Sequence, residues 1–284
     1  MSVRMPLCAS RCRFPESNDF LKEGFFVSTN TKKKKRIIIS IIATALAVLL
    51  FAGLFPFVKT KAVEFRAYRV APLSDSMLEN SGYESADKLM IVAHPDDELI
   101  FGGGHLLEGG YFVVCITNGR NKTRSEEFRR VIRATGNNGI ILNYPDKVNG
   151  KRDDWSHVRD GILSDIEKVI DLKDWKEIVT HNENGEYGHQ HHKMTHSLVV
   201  EGYEAEKPEA RLYFFGKYHK AVTVEKYESG EKPMPEDMKN RLPDDVLARK
   251  TEISKLYKSQ KHTIDGLWHI APYENFTEYV AAEN

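Results

Sequence analysis

No sign of charge predominates in this chain: Lys+Arg and Asp+Glu both total 41 across 284 residues. A field that gathers nucleic acid over the whole surface is thereby excluded, and any electrostatic preference has to be local. Cysteine is scarce as well. Cys8, Cys12 and Cys115 stand in unrelated contexts, two in a polar N-terminal tail and one inside the apolar run Tyr111 to Thr117, which argues against a disulfide framework. Internal repeats are lacking, and the length leaves room for one catalytic domain of about 150–250 residues with appendages. Two common enzymatic signatures are missing. Gly102-Gly103-Gly104 does not make the Gly-x-Gly-x-x-Gly of a dinucleotide fold, which counts against NAD, and no Gly-x-Ser-x-Gly supplies a serine nucleophile.

One hydrophobic run is long. Ile37 to Val58 reads IIISIIATALAVLLFAGLFPFV, 22 residues without a charge. At about 1.5 Å per residue such a helix crosses a hydrocarbon core of about 30 Å. A cleavable signal has a shorter apolar region of about 7–15 residues, so an uncleaved anchor is expected. Lys32-Lys33-Lys34-Lys35-Arg36 on one flank is denser than Lys59, Lys61, Arg66 and Arg69 on the other. The positive-inside rule then puts the N-terminus in the cytoplasm and everything past Val58 on the extracytoplasmic side. The expected organisation is a flexible cytoplasmic tail (1–36), a transmembrane anchor (37–58), a stalk (59–86) and a catalytic domain (87–284).

Within that last segment strand-like and helix-like stretches alternate. Leu89-Met90-Ile91-Val92 is a short continuous apolar run, as in a strand covered on both faces. A helix after Asp97, a strand Tyr111–Thr117, a helix Ser125–Thr135, a strand Gly139–Leu142, a helix His157–Leu172 and a strand Glu177–His181 follow. Leu212 to Phe215 is strand-like, and Asp244–Gln260 is helix-like. This alternation predicts an α/β, Rossmann-like fold: a mostly parallel sheet with helices on both faces, preceded by one transmembrane helix. Ligands of such sheets bind at the carboxyl ends of the strands.

Two polar clusters fall at such ends. Ala93-His94-Pro95-Asp96-Asp97-Glu98 places four ionisable groups in five positions after the first strand. An imidazole and a carboxylate suit a divalent metal, and a free neighbouring carboxylate suits a base toward metal-bound water; an ordinary acidic helix start is the bland alternative. The second cluster, His181 to His196, holds five of the eleven histidines in sixteen residues, with His189, His192 and His196 at helical spacing. Packing gives a loop no reason to collect them, whereas a metal site does; solvated or pH-sensing histidines are the competing reading.

Ala-His-Pro-Asp-Asp-Glu at 93–98 and Tyr-Gly-His-x-x-His at 187–192 resemble the PIG-L/LmbE-like family of N-acetylglucosaminyl deacetylases. Thr117-Asn118-Gly119, Arg124-x-x-Glu127 and Tyr144-Pro145-Asp146 look like its landmarks. The resemblance implies His94, Asp97 and His192 as metal ligands, Asp96 as general base, and His189 as the group assisting the oxyanion and leaving amine. It further implies Arg124, Asp146 and Tyr187 as substrate contacts. One departure stands out. The family's His-Pro-Asp-His is here His189-Gln190-His191-His192; His191 either competes as a ligand or faces solvent, and solvent is the favoured expectation.

The expected activity is a zinc-dependent (or other divalent-cation-dependent) N-deacetylase acting on an N-acetylglucosamine-type amino sugar, polymeric or lipid-linked, and held to membrane lipid by the N-terminal anchor. In this mechanism Asp96 takes a proton from the metal's water and a protonated His189 supports the oxyanion. Another metal-dependent amidohydrolase of N-acyl small molecules, or a non-catalytic surface sugar-binding protein, are the alternatives.

Overall fold

The computed structural model describes residues 26–281. Cys8, Cys12 and residues 1–25 of the expected tail lie outside the described residues. The chain divides after Lys61 into two compact units. The described residues of the first are helical: α1 (Phe26–Tyr68) begins there and carries the apolar run, whose side chains are exposed, before ending in the second. Among the described residues α1 is the one helix long and apolar enough to cross a membrane.

The second unit is built on a six-stranded sheet. In chain order come α2 (Asp75–Leu78), β1 (Lys88–Val92), α3 (Asp97–Glu108), β2 (Tyr111–Thr117), α4 (Lys122–Ala134), β3 (Asn138–Tyr144), the small hairpin β4 (Lys147–Val148) and β5 (Lys151–Arg152), and α5 (Arg159–Ile170). There follow β6 (Glu177–Thr180), α6 (Gly185–Gly188), α7 (Gln190–Glu206), β7 (Arg211–Phe214), α8 (Ala221–Glu228), α9 (Asp244–Ser254), α10 (Lys261–Leu267) and β8 (Thr277–Glu278). Sheet order is β3-β2-β1-β6-β7-β8, parallel throughout except for the antiparallel edge strand β8.

The apolar run of β1 is continuous because both faces are covered. Leu89 and Ile91 enter one core with Ile162, Ile166 and Val169 of α5 and Leu198 and Val199 of α7. Met90 and Val92 enter the other, with Leu99 and Ile100 of α3, Phe128 and Val131 of α4, Ile253 of α9 and Ile264 of α10. All four β1 side chains are fully buried, each contributing about 1.5–3 kcal/mol. Between β1 and β6 the chain order reverses, and at such a switch point the diverging connections open a crevice beyond the carboxyl ends.

Several boundaries differ from expectation for identifiable reasons. α4 begins three residues early because the side chain of Asn121 caps it, accepting the Arg124 N–H. The helix expected to run to Gln260 stops at Ser254, and Tyr257 turns inward to the core. The stretch expected as a stalk is helical to Tyr68, then sends Leu73, Leu78 and Ala86 into the first core. The glycine triplet serves close packing: a Cβ on Gly104 would lie 2.6 Å from Leu242 and 2.9 Å from Glu274.

Candidate active site

Every residue singled out above lies just past the carboxyl end of a parallel strand or on the connection leaving it. His94 and Asp96 follow β1, Arg124 is on α4 after β2, Asp146 follows β3, and His189 and His192 lie beyond β6. The β1 to α3 turn is strained. Asp96, only 3% exposed, has φ 118°, a conformation L side chains rarely adopt. Three bonds hold it: its own N–H donates to Glu98 Oε2 at 3.1 Å, its carbonyl accepts from Ile100 N at 2.9 Å, and the preceding Pro95 carbonyl accepts from Arg124 at 2.6 Å.

Asp97 is the hub. Its Oδ2 accepts from the His94 backbone N–H at 2.8 Å and lies 3.1 Å from His94 Nδ1, while its Oδ1 lies 3.2 Å from His192 Nε2. On the far side of His192, Nδ1 donates to Glu186. Glu186 also accepts from His181 Nδ1 at 3.1 Å and from the Asn182 N–H at 3.0 Å. Burial would raise Glu186, but His181 and His192 bring it down to about 2. Burial opposes charge on His192 too, yet Asp97 and Glu186 push it up to about 10. The pocket between these carboxylates therefore favours positive charge strongly.

Three trios of donor atoms lie close enough to hold a metal ion: His94, His189 and His192; His94, Asp146 and His191; and Asp97, His181 and His192. Their hydrogen bonds separate them. His181 Nε2 accepts from the Ala93 N–H at 3.0 Å, so its lone pair is spent. In the second trio Arg152 is already in contact with Asp146, and His94 Nε2 bonds His191 Nδ1 at 3.0 Å. That leaves the first trio, His94, His189 and His192; Asp97 is not part of it but faces both His94 and His192. His192 Nε2 and His189 Nδ1 are buried without a hydrogen-bond partner, which leaves both open to a cation or a bound substrate atom. Donors about 2.0–2.2 Å from a tetrahedral zinc stand roughly 3.3–3.6 Å apart; the His94 and His192 nitrogens lie 3.1 and 3.2 Å from Asp97, each from a different carboxylate oxygen. The residues present fit a divalent cation.

The acid and base candidates sit beside this set. Burial, with Asp97 adjacent, raises Asp96 well above the usual carboxylate range against the pull of Arg124, 3.3 Å away. The His189 ring packs 4.3 Å from that of His192 and 4.7 Å from that of His94. Burial and those two rings push it down to about 2, which disfavours the expected protonated form. Arg124 reaches both Asp96 and Asp146, and its Nε is a buried donor without a partner. Tyr187, 40% exposed, lies at the rim with its ring edge toward His189.

His191 corrects the sequence reading. It is fully buried, stacked on Trp155 at 4.2 Å, with Nε2 2.7 Å from the Asp153 carbonyl. A polar loop suggested solvent, but His191 lies in the first turn of α7, on the side facing the β5 to α5 loop. His196, by contrast, leaves the cluster and bonds the His181 carbonyl at 2.9 Å. Sequence reasoning also gave no role to Glu98, Glu186, Tyr257 or Arg152. Glu98 lies inside the first motif and Glu186 inside the His181–His196 cluster, so these two were the ones within reach. Cys115 is a buried core thiol, as expected, pushed up by burial.

The model of the PIG-L family, described as GlcNAc-PI de-N-acetylase, matches residues 89–203. A relative from Acanthamoeba polyphaga mimivirus, "Uncharacterized protein L374", is 34% identical over 169 residues, spanning 54% of this chain and 70% of its own length. A deacetylase of teicoplanin biosynthesis solved as a bog complex aligns at 16% identity and TM-score 0.47, over 63% of this chain and 87% of its own. The zinc-inhibited form of teicoplanin deacetylase Orf2 aligns at 15% and 0.47, over 63% and 86%.

Proposed function

This chain belongs to the PIG-L, GlcNAc-PI de-N-acetylase family, and from that premise we propose that it is a membrane-anchored, metal-dependent hydrolase that removes the N-acetyl group of an N-acetylglucosamine-type amino sugar. One observation carries the reading: the two oxygens of Asp97 face ring nitrogens of His94 and His192 at 3.1 and 3.2 Å, in a buried pocket whose carboxylates favour positive charge.

His94, Asp97 and His192 hold the divalent cation, for which zinc suits two nitrogens and one oxygen. When bound, such a cation supplies Lewis acidity, lowering the pKa of a water in an open position toward about 7 and polarising a carbonyl oxygen. Asp96, with its raised proton affinity, accepts the water's proton as the oxygen attacks the acetamide carbon. His189, neutral, donates an N–H hydrogen bond to the developing oxyanion; such a preorganised donor is commonly worth about 3–4 kcal/mol. As the C–N bond breaks, Asp96 returns the proton to the leaving nitrogen, and acetate and free amine depart. Arg124, Asp146 and Tyr187 around the mouth contact sugar hydroxyls.

The flanks of α1 support a cytoplasmic N-terminus and an extracytoplasmic catalytic domain. There it meets surface glycans, wall polymers or lipid-linked sugars. The test is acetate release by the full chain in detergent from N-acetylglucosamine presented as monosaccharide, oligomer and lipid-linked sugar, with chelation and zinc readdition. Chelator-sensitive release, restored by zinc, is expected. Release only from N-acyl small molecules points to another amidohydrolase, and none from the metal-loaded protein to a binding role.

A further inference from the structure

The buried imidazole of His191 has no part in the chemistry just described, yet its bonds leave it no freedom. A backbone carbonyl can only accept, so the contact of 2.7 Å from His191 Nε2 to the Asp153 carbonyl places a hydrogen on Nε2. The remaining nitrogen, Nδ1, is then an acceptor, and it stands 3.0 Å from His94 Nε2. That contact favours the His94 hydrogen on Nε2, against the pull of Asp97 Oδ2, an acceptor 3.1 Å from Nδ1; a cation held between Nδ1 and Asp97 would remove that pull and leave the Nδ1 lone pair for the metal. The other partners of the bonded pair of nitrogens fail on distance or on type. Asp146 Oδ1 is 3.8 Å from both nitrogens, and Arg152 Nη1, 3.4 Å from His94 Nε2, is itself a donor engaged with Asp146.

The ring is also held in plane. Trp155, fully buried, stacks on His191 with an interplanar angle of 15°. Trp155 is pinned by its own donors, Nε1 to the Pro145 carbonyl at 2.8 Å and the backbone N–H to Asp153 Oδ1 at 2.8 Å, and Tyr68 bonds the other Asp153 oxygen at 2.9 Å. We propose that His191 is a positioning residue that passes the hydrogen-bond direction of the Asp153 carbonyl to His94, fixing the His94 tautomer and ring orientation that present Nδ1 to the metal site. This rests on His94 being a ligand. Partners of this kind behind a ligating histidine set both its tautomer and its basicity, and their loss typically costs 10–100-fold in metal affinity.

The test needs the full chain in detergent. Histidine-labelled, zinc-loaded wild-type protein is examined by two-bond proton–nitrogen correlation, with His191→Gln identifying the His191 signals. His191 and His94 should both be Nε2–H tautomers; an Nδ1–H tautomer at either position overturns the relay without requiring any variant to fold well. Zinc affinity is then measured by chelator competition for His191→Phe, which keeps the stack on Trp155 but neither nitrogen, and for His191→Gln, whose amide offers one acceptor and one donor. A 10–100-fold loss in His191→Phe, largely recovered in His191→Gln and accompanied by an altered visible spectrum of the cobalt form, is expected. Unchanged affinity in His191→Phe, with metal lost in His94→Ala, overturns the relay and keeps His94 as ligand. Unchanged affinity in His94→Ala overturns the ligand assignment itself.

Discussion

The phenol of Tyr257 donates a 2.5 Å hydrogen bond to Glu98 Oε1, joining the turn after α9 to the strained β1 to α3 turn. The other Glu98 oxygen accepts from the Asp96 backbone N–H at 3.1 Å, so a residue far from the motifs helps hold the proposed base at φ 118°. Burial raises Glu98 to about 7, and the Tyr257 bond works against that rise. Tyr257→Phe strands one Glu98 oxygen. Stability should fall by about 1–3 kcal/mol, read by thermal unfolding, and kcat on the order of 10- to 100-fold with metal content unchanged. A wild-type kcat in this variant would mean the turn holds Asp96 unaided.

Glu186 is the counterpart behind His192. Glu186→Gln replaces a carboxylate that accepts from both His181 and His192 with an amide offering a single acceptor oxygen. Zinc affinity should drop about 10–100-fold by chelator competition. Retained affinity would show that Glu186 only fills the pocket.

Lys250 and Glu274 form a buried ion pair at 2.5 Å, and Glu274 also accepts from the Gly104 N–H at 2.7 Å. Burial lowers Lys250, partly offset by Glu274. Lys250→Met alone leaves a buried carboxylate and should cost about 3–5 kcal/mol, whereas Lys250→Met with Glu274→Gln should recover most of it. Equal losses in the single and double variants, by denaturant unfolding, would contradict the pairing.

The proposed orientation makes a topological prediction. In sealed vesicles a tag before Met1 should be reached by protease only from the cytoplasmic face, and one after Asn284 only from the opposite face. The reverse pattern would place the site on the cytoplasmic face, with a lipid-linked sugar presented there.

The sheet was legible because its strands obey one rule throughout: β1, β2 and β6 are buried on both faces and read as continuous apolar runs. Asp97 and His192 stood out in the sequence because their residue types suit a metal site, and the structure brings them together in one buried cluster. His191 was misread since burial of a polar ring depends on Trp155 and Asp153, far away in sequence, which no local pattern reveals. Tyr257 escaped for the same reason: helical periodicity continued past Ser254, and the partner that breaks it, Glu98, is set by tertiary contact. The low proton affinity of His189 follows from burial and from the rings around it rather than from its motif.

Asp96→Asn in the full chain bears most directly on the whole reading, with acetate release from N-acetylglucosamine substrates and bound zinc measured on the same sample. Acetate release should fall on the order of 10²- to 10⁴-fold with zinc stoichiometry unchanged. Wild-type acetate release by the zinc-loaded variant would contradict Asp96 as the proton acceptor and the mechanism built on it.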